Sequence, residues 1–211
     1  MSGSKVARKA LSTAEVREIV GDPIELVQLK VRPSLDKHCR AFIARSPFLS
    51  LGTVDANGQA DVSPRGDPAG FVHVLDDHTL AVPERPGNKL ADSLTNILDT
   101  GSVGLLFMVP GVEETLRVNG VGTITDDPAV LEAMAVKGKT PKLAILVDVE
   151  EAFIHCAKAF RRSELWNPDG YVDPKELPSI GQVIRDQVKP PDLDTDDIDE
   201  IADKDYRTNM Y

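Results

Sequence analysis

Three short basic segments interrupt an otherwise acidic chain, and each has the residue types of an anion site. In Arg85-Pro86-Gly87-Asn88-Lys89, Arg85 and Lys89 bring full charge and Gly87 permits close backbone approach. Asn88 has the chemistry to cap the helix-like stretch 90–98, whose N-terminal N–H groups carry partial positive charge. This is a phosphate cradle in composition. Ser63-Pro64-Arg65-Gly66-Asp67 supplies a hydroxyl, a guanidinium and backbone at a bend. The third segment, 158–166, joins Lys158, Arg161 and Arg162 to Trp166. For any one of them alone, a solvated face or a surface ion pair is the simpler explanation. Three together, in a chain of formal net charge -10, favour an anionic ligand that carries an aromatic group.

Other chemistries are poorly served. His155 and Cys156 are neighbours on a strand-like stretch and would point to opposite faces, so they cannot share a metal there. His38 and Cys39 fail in the same way on a helix. Cys39 and Cys156 have no zinc-type spacing and are too few for a disulfide framework, so both are expected as reduced, partly buried thiols, Cys156 in the core. Phosphate-loop and Rossmann glycine spacings and a Gly-x-Ser-x-Gly elbow are missing, and Ser63 before a proline suits hydrogen bonding better than nucleophilic attack. No metal ligands and no catalytic acid or base are assigned.

The elements that must position these residues are mostly strands. Asp55-Ala56-Asn57-Gly58 between 48–54 and 59–63 is a hairpin turn. A second hairpin joins 70–75 to 79–83, and a third joins 102–109 to 114–125 through Pro110-Gly111. A last strand covers 143–149 and runs on to 153–156. Among the helices, Ser12 and Glu15 form a capping box stopped by Gly21 and Pro23, Ser34 caps a helix burying Leu35, Cys39, Phe42 and Ile43, and Asp127-Pro128 opens another. Short strands joined by hairpins predict an antiparallel barrel. In the acidic tail, Ile198, Ile201, Ala202 and Tyr206 keep a helical period and predict a docked helix. The predicted organisation is an N-terminal helical arm (1–33), a barrel domain (34–167) and an acidic tail (168–211).

The 211 residues suffice for one domain with a sizeable core and terminal arms. The negative charge argues against nucleic acid or an anionic membrane surface as partner. Met1-Ser2-Gly3-Ser4-Lys5 has no apolar signal core, and no apolar run approaches a membrane span, so a cytoplasmic protein is expected.

The order of segments resembles a family. The runs 61–67, Gly70-Phe71-Val72, 82–89 with Asp92-Ser93 and Asn96, Thr115-Leu116-Arg117-Val118-Asn119-Gly120, and His155-Cys156-Ala157-Lys158-Ala159 are similar to the FMN-binding split-barrel proteins related to pyridoxamine phosphate oxidase. A bacterial subgroup keeps these motifs in this order. The resemblance implies a mainly β, antiparallel Greek-key split barrel with flanking helices, a homodimer, and FMN at the dimer interface. It implies phosphate contacts from Asn88, which replaces a usual Arg, and Lys89, with Arg85 added. Val62, Ser63, Pro64 and Arg65 would run along the flavin ring, and Thr115 and Arg117 would approach it from a neighbouring strand. Lys158, Arg161, Arg162 and Trp166 would come from near the subunit boundary, either to the flavin or as a dimer contact. The oxidases proper end in a Trp and an Arg-Leu motif that grips the substrate phosphate, whereas this chain ends Asp205-Tyr206-Arg207-Thr208-Asn209-Met210-Tyr211, so that activity is not expected. An FMN-dependent oxidoreductase acting on a small molecule is expected. The alternatives are a non-catalytic flavin-binding or sensing protein, or a related barrel that binds heme or a deazaflavin.

Overall fold

The computed structural model describes residues 10–211, so the segment Met1 to Lys5 discussed above lies outside the described residues. The chain divides into two compact units after Val31. In the first, the expected capping box is present: Ser12 accepts from the Glu15 N–H while the Glu15 carboxylate accepts from the Ser12 N–H, opening α1 (Thr13–Val20). Gly21, at φ 78°, ends it, and a short helix that the sequence did not suggest, α2 (Glu25–Leu29), follows. Neither helix buries a residue.

The second unit begins with α3 (Lys37–Ile43). Its cap is Asp36 and not the expected Ser34, because the Asp36 carboxylate accepts from the N–H groups of both His38 and Cys39 at 2.9 Å. Those two hydrogen bonds hold the Asp36 carboxyl below its usual range. The face carrying Cys39 and Ile43 is buried. There follow β1 (Phe48–Val54), β2 (Ala60–Gly66), β3 (His73–Val74), β4 (Thr79–Glu84), α4 (Asp92–Thr100), β5 (Ser102–Met108), β6 (Thr115–Thr125), α5 (Pro128–Ala133), β7 (Leu143–His155), α6 (Lys158–Ser163), α7 (Ile180–Val188) and α8 (Thr195–Thr208).

Local turn chemistry explains most of these joints. Asp55 accepts from the Asn57 and Gln59 N–H groups and Gly58 takes φ 80°, closing the β1–β2 hairpin. The second hairpin is shorter than expected. The Gly70 N–H goes to the Ser46 carbonyl and not to β4, leaving β3 only two residues to pair. Asp127 accepts from the Ala129 N–H and caps α5, with Pro128 in its first turn.

All seven strands join one antiparallel sheet in the order β2-β1-β5-β6-β7-β4-β3. The long β6–β7 ribbon is its spine. β5 pairs with 116–121 of β6, while β4 pairs with 143–148 of β7, opposite the other half of β6. The two wings thus hang from opposite halves of the ribbon. Curling brings both onto one core, where Leu49, Leu51, Leu80, Val82, Phe107, Leu116 and Ile145 are fully buried. Each such side chain contributes roughly 1.5 to 3 kcal/mol of transfer free energy. The register shifts at Asn119/Gly120, where a Cβ on Gly120 would lie 2.0 Å from the Asp148 carbonyl oxygen. Only glycine fits that bulge. The sheet does not close, and β2 and β3 are its outer strands.

In the tail, α7 and α8 meet at Gly181, whose N–H donates to the Asp199 carboxylate at 2.7 Å. Ile198 is buried, but Ile201 and Tyr206 are exposed, so the expected apolar face docks at one end only.

Candidate functional site

β2 alternates. Asp61, Ser63 and Arg65 are half-buried, whereas Val62 (68 % exposed) and Pro64 point outward. Pro64 has no N–H to offer a ladder, and it lies on an outer strand where it is tolerated. The inward row forms a chain of polar contacts. Ser93 of α4 donates to Asp61 at 3.1 Å, its oxygen lies 3.0 Å from that of Ser63, and the Arg65 Nε donates to Ser63 at 3.1 Å. The guanidinium of Arg65 then pairs with Glu84 at the end of β4. That ion pair bridges the two wings across the opening of the sheet.

The loop 85–91 forms the other wall. Arg85 turns away to a buried ion pair, its Nε 2.6 Å from Asp67 and its terminal nitrogen 2.7 Å from the Met134 carbonyl. Asn88 does not cap α4 as expected. Its side-chain oxygen accepts from the Leu90 N–H at 3.0 Å, making a tight local turn, and the helix starts two residues beyond that donor. Lys89 and Ala91 both take left-handed backbone angles, φ 63° and 61°. Ala91, the residue before α4, offers no side-chain cap, so the N–H groups of the first turn have no side-chain acceptor. Lys89 is exposed and has no partner among the described residues. A cleft of about 540 Å³ lies between β2 and this loop, and Val62, Ser63, Pro64, Arg65, Arg85, Asn88 and Lys89 all line it.

The other expected residues are elsewhere. Thr115 is buried on β6 opposite His155. Arg117 pairs with Glu151 and lies 4.3 Å over the Phe153 ring, and its buried Nε has no hydrogen-bond partner among the described residues. Lys158 opens α6 and is exposed, as is Arg162. Arg161 donates to Glu113 at 2.7 Å, and the Trp166 indole N–H donates to the Val112 carbonyl at 2.8 Å with its ring 5.5 Å from Phe160. Arg161 and Trp166 line a separate cleft of about 780 Å³. Within one chain, the β2 group and the α6 group do not meet in one cleft.

Sequence reasoning missed Glu84 and Asp67, the acids that occupy Arg65 and Arg85, and Tyr211, whose hydroxyl donates to Asp67 at 2.8 Å. Acids near each arginine in sequence were the only signal. The Tyr211 contact spans 144 residues and had none. That hydrogen bond raises the Tyr211 hydroxyl above its ordinary range, with burial adding to it. Cys39 is buried as expected, and desolvation pushes its thiol up to about 11. Cys156, expected in the core, is exposed, because β7 ends at His155 and the chain turns into α6. Among the described residues, no group of three or more His, Cys, Asp or Glu side chains is arranged to hold a metal ion, and no helix is long and apolar enough to cross a membrane.

Comparison with known proteins gives one family. Residues 35–156 match the family described as pyridoxamine 5'-phosphate oxidase. No curated protein matches the sequence. Among solved structures, HupZ from Group A Streptococcus is 23% identical, covering 56% of this chain and 92% of its own, with a TM-score of 0.46. A putative pyridoxamine 5'-phosphate oxidase from Lactobacillus delbrueckii is 23% identical, with coverages of 58% and 95% and a TM-score of 0.44. An FMN-binding protein from Syntrophomonas wolfei is 15% identical, with coverages of 68% and 96% and a TM-score of 0.48.

Proposed function

Because the chain belongs to the pyridoxamine 5'-phosphate oxidase family, we propose that it binds FMN and acts as an FMN-dependent oxidoreductase on a small molecule. The observation that carries this reading is the β2 cleft, which places an unpaired ammonium, a helix start without a side-chain cap and two serine hydroxyls around one space. The ammonium and the uncapped helix start suit a phosphate monoester, while the serine protons are already used, that of Ser93 on Asp61 and that of Ser63 on Ser93. Lys89 and the first-turn N–H groups of α4 would hold the phosphate, with Ser63 and Ser93 beside them. Asp92 opposes this placement weakly, being an acid in the same first turn. Bound flavin supplies hydride or electron transfer, and the protein orients it and limits water around it.

The two separated groups support a homodimer. The outer strand β2 presents Val62 and Pro64 outward, and the cleft beside α6 carries Arg161 and Trp166, two of the residues that the resemblance assigns to a subunit boundary. Lys158, Arg161, Arg162 and Trp166 of one copy would then complete the β2 cleft of another. Thr115 and Arg117 would stand between them on β6. The arm (1–33), barrel (34–167) and acidic tail (168–211) are the corresponding divisions, and a cytoplasmic setting suits reduced Cys39 and exposed Cys156.

The absorption spectrum of the purified protein is the first test. A flavin spectrum supports the reading, whereas a heme or deazaflavin spectrum replaces FMN with that cofactor. Repeated reduction by NADH or NADPH with reoxidation marks an oxidoreductase. Stable flavin binding without turnover marks a carrier or sensor.

A further inference from the structure

The loop that walls the β2 cleft has a second side. There, a cleft of about 590 Å³ runs between 84–89 and the 138–143 segment, within the size range of small-molecule sites. Lys89, Lys139 and Lys142 line it, and none of the three has a partner among the described residues. Among the described residues, Glu84 is the one side-chain carboxylate in its lining, and it is already bound to Arg65. Arg85 is likewise neutralised by Asp67. Lys139 and Lys142 therefore share one lining without a side-chain acid to neutralise them, with Lys89 common to both sides of the loop, in a chain whose formal net charge is -10.

The base that carries Lys139 is fixed. Val136 and Lys139 exchange both backbone hydrogen bonds, at 3.1 and 2.9 Å, around a two-residue turn with Lys137 at φ 50° and Gly138 at φ 74°. Pro86, Pro141, Leu143 and the Tyr211 side chain give the cleft an apolar wall. The Tyr211 ring is held by its hydroxyl on Asp67 and by Arg85 and Lys137, whose charged ends lie 5.6 and 5.5 Å from the ring centre.

We propose that this cleft binds an organic anion, a carboxylate or phosphate ester on an apolar or aromatic body, on the other side of the 84–89 loop from the β2 cleft. Lys139 and Lys142 take the anion, and the proline, leucine and tyrosine surface takes the body. The binding claim does not depend on the flavin.

Isothermal titration of the full chain with 2-naphthoate, 1-naphthyl phosphate and neutral 2-naphthamide, with and without saturating FMN, tests it. At least one anion binds, the amide binds about tenfold more weakly or less, and the Lys139→Ala/Lys142→Ala variant loses about tenfold in anion affinity at unchanged melting temperature. Which anion binds better tells carboxylate from phosphate. Equal binding of anion and amide, binding of neither anion, or an unaffected double variant would overturn the proposal. Displacement of the anion by FMN would also overturn it, by putting the anion in the β2 cleft. Should the double variant melt lower, Lys142→Glu alone must still weaken the anion. If FMN does not bind at all, the flavin reading fails while these titrations still report on the lysine cleft.

Discussion

The clefts beside β2 and beside α6 both pair arginine with acid, yet their charges are used differently. Beside β2, two arginines are spent on half-buried or buried acids, Arg65 on Glu84 and Arg85 on Asp67, and one lysine is left over. Beside α6, Arg161 meets Glu113 in an exposed pair, and Trp166 is fastened to a backbone carbonyl. Buried pairs are costly to break from one side, because the remaining ion has no water to turn to. Exposed pairs are screened and contribute little. The first cleft is therefore a stiff frame around one cation that is free among the described residues, and the second is a surface latch.

The largest test of that difference is Asp67→Ala. Asp67 is 1 % exposed and Arg85 14 %, so removing the acid strands a buried guanidinium. A loss of about 3 kcal/mol in urea unfolding is expected. A loss below about 1 kcal/mol would make this pair no different from the latch. Lys89→Ala is next. It should weaken FMN binding by roughly 1.5 to 3 kcal/mol in equilibrium titration while apo melting stays put, since Lys89 supports nothing in the fold. A fall in apo stability at unchanged FMN affinity would turn Lys89 into a structural residue.

Tyr211 gives a smaller effect with a defined sign. Its hydroxyl is raised because the protonated form donates to Asp67, so the contact contributes fully below the ordinary tyrosine value of about 10 and is lost as pH rises through the folded value. Phenolate absorbance should show one tyrosine ionising above that ordinary value, and Tyr211→Phe should remove it at less than about 1 kcal/mol in stability. Ionisation at the ordinary value would mean the tail does not dock on Asp67. The smallest effect is expected from Arg161→Ala, whose unfolding midpoint should match the parent's. A clear destabilisation there would erase the contrast between frame and latch.

Local chemistry was legible in the sequence. Asp55 to Gly58, the Pro110-Gly111 turn with Gly111 at φ 83°, and the Asp127-Pro128 helix start all act within a few residues, so their side chains announce them. The two caps were misread for the same local reason. Ser34 and Asn88 have the right chemistry, but Asp36 accepts from the His38 and Cys39 N–H groups and starts the helix two residues later, and the Asn88 oxygen is taken by the Leu90 N–H before α4 begins. Which acid takes which arginine was not legible. Glu84 reaches Arg65 only because the sheet curls until the ends of β2 and β4 face each other, and that follows from the registers of five intervening pairings. The lysine cleft was hidden in a like manner, since Lys139 and Lys142 look like ordinary surface charge until the turn at 136–139 faces the 84–89 loop.

The bulge at Gly120 has a mechanical consequence. Each wing is fastened to a different half of the β6–β7 ribbon, and the bulge lies near the crossover between those halves. A bulge sharpens local twist. The ribbon thus works as the pivot of a pair of shears, with β2 and β4 as the blades and the Arg65 to Glu84 bridge as the catch between them. Any side chain added at residue 120 would meet the Asp148 carbonyl at the pivot, so the angle between the blades rests on a residue with no side chain.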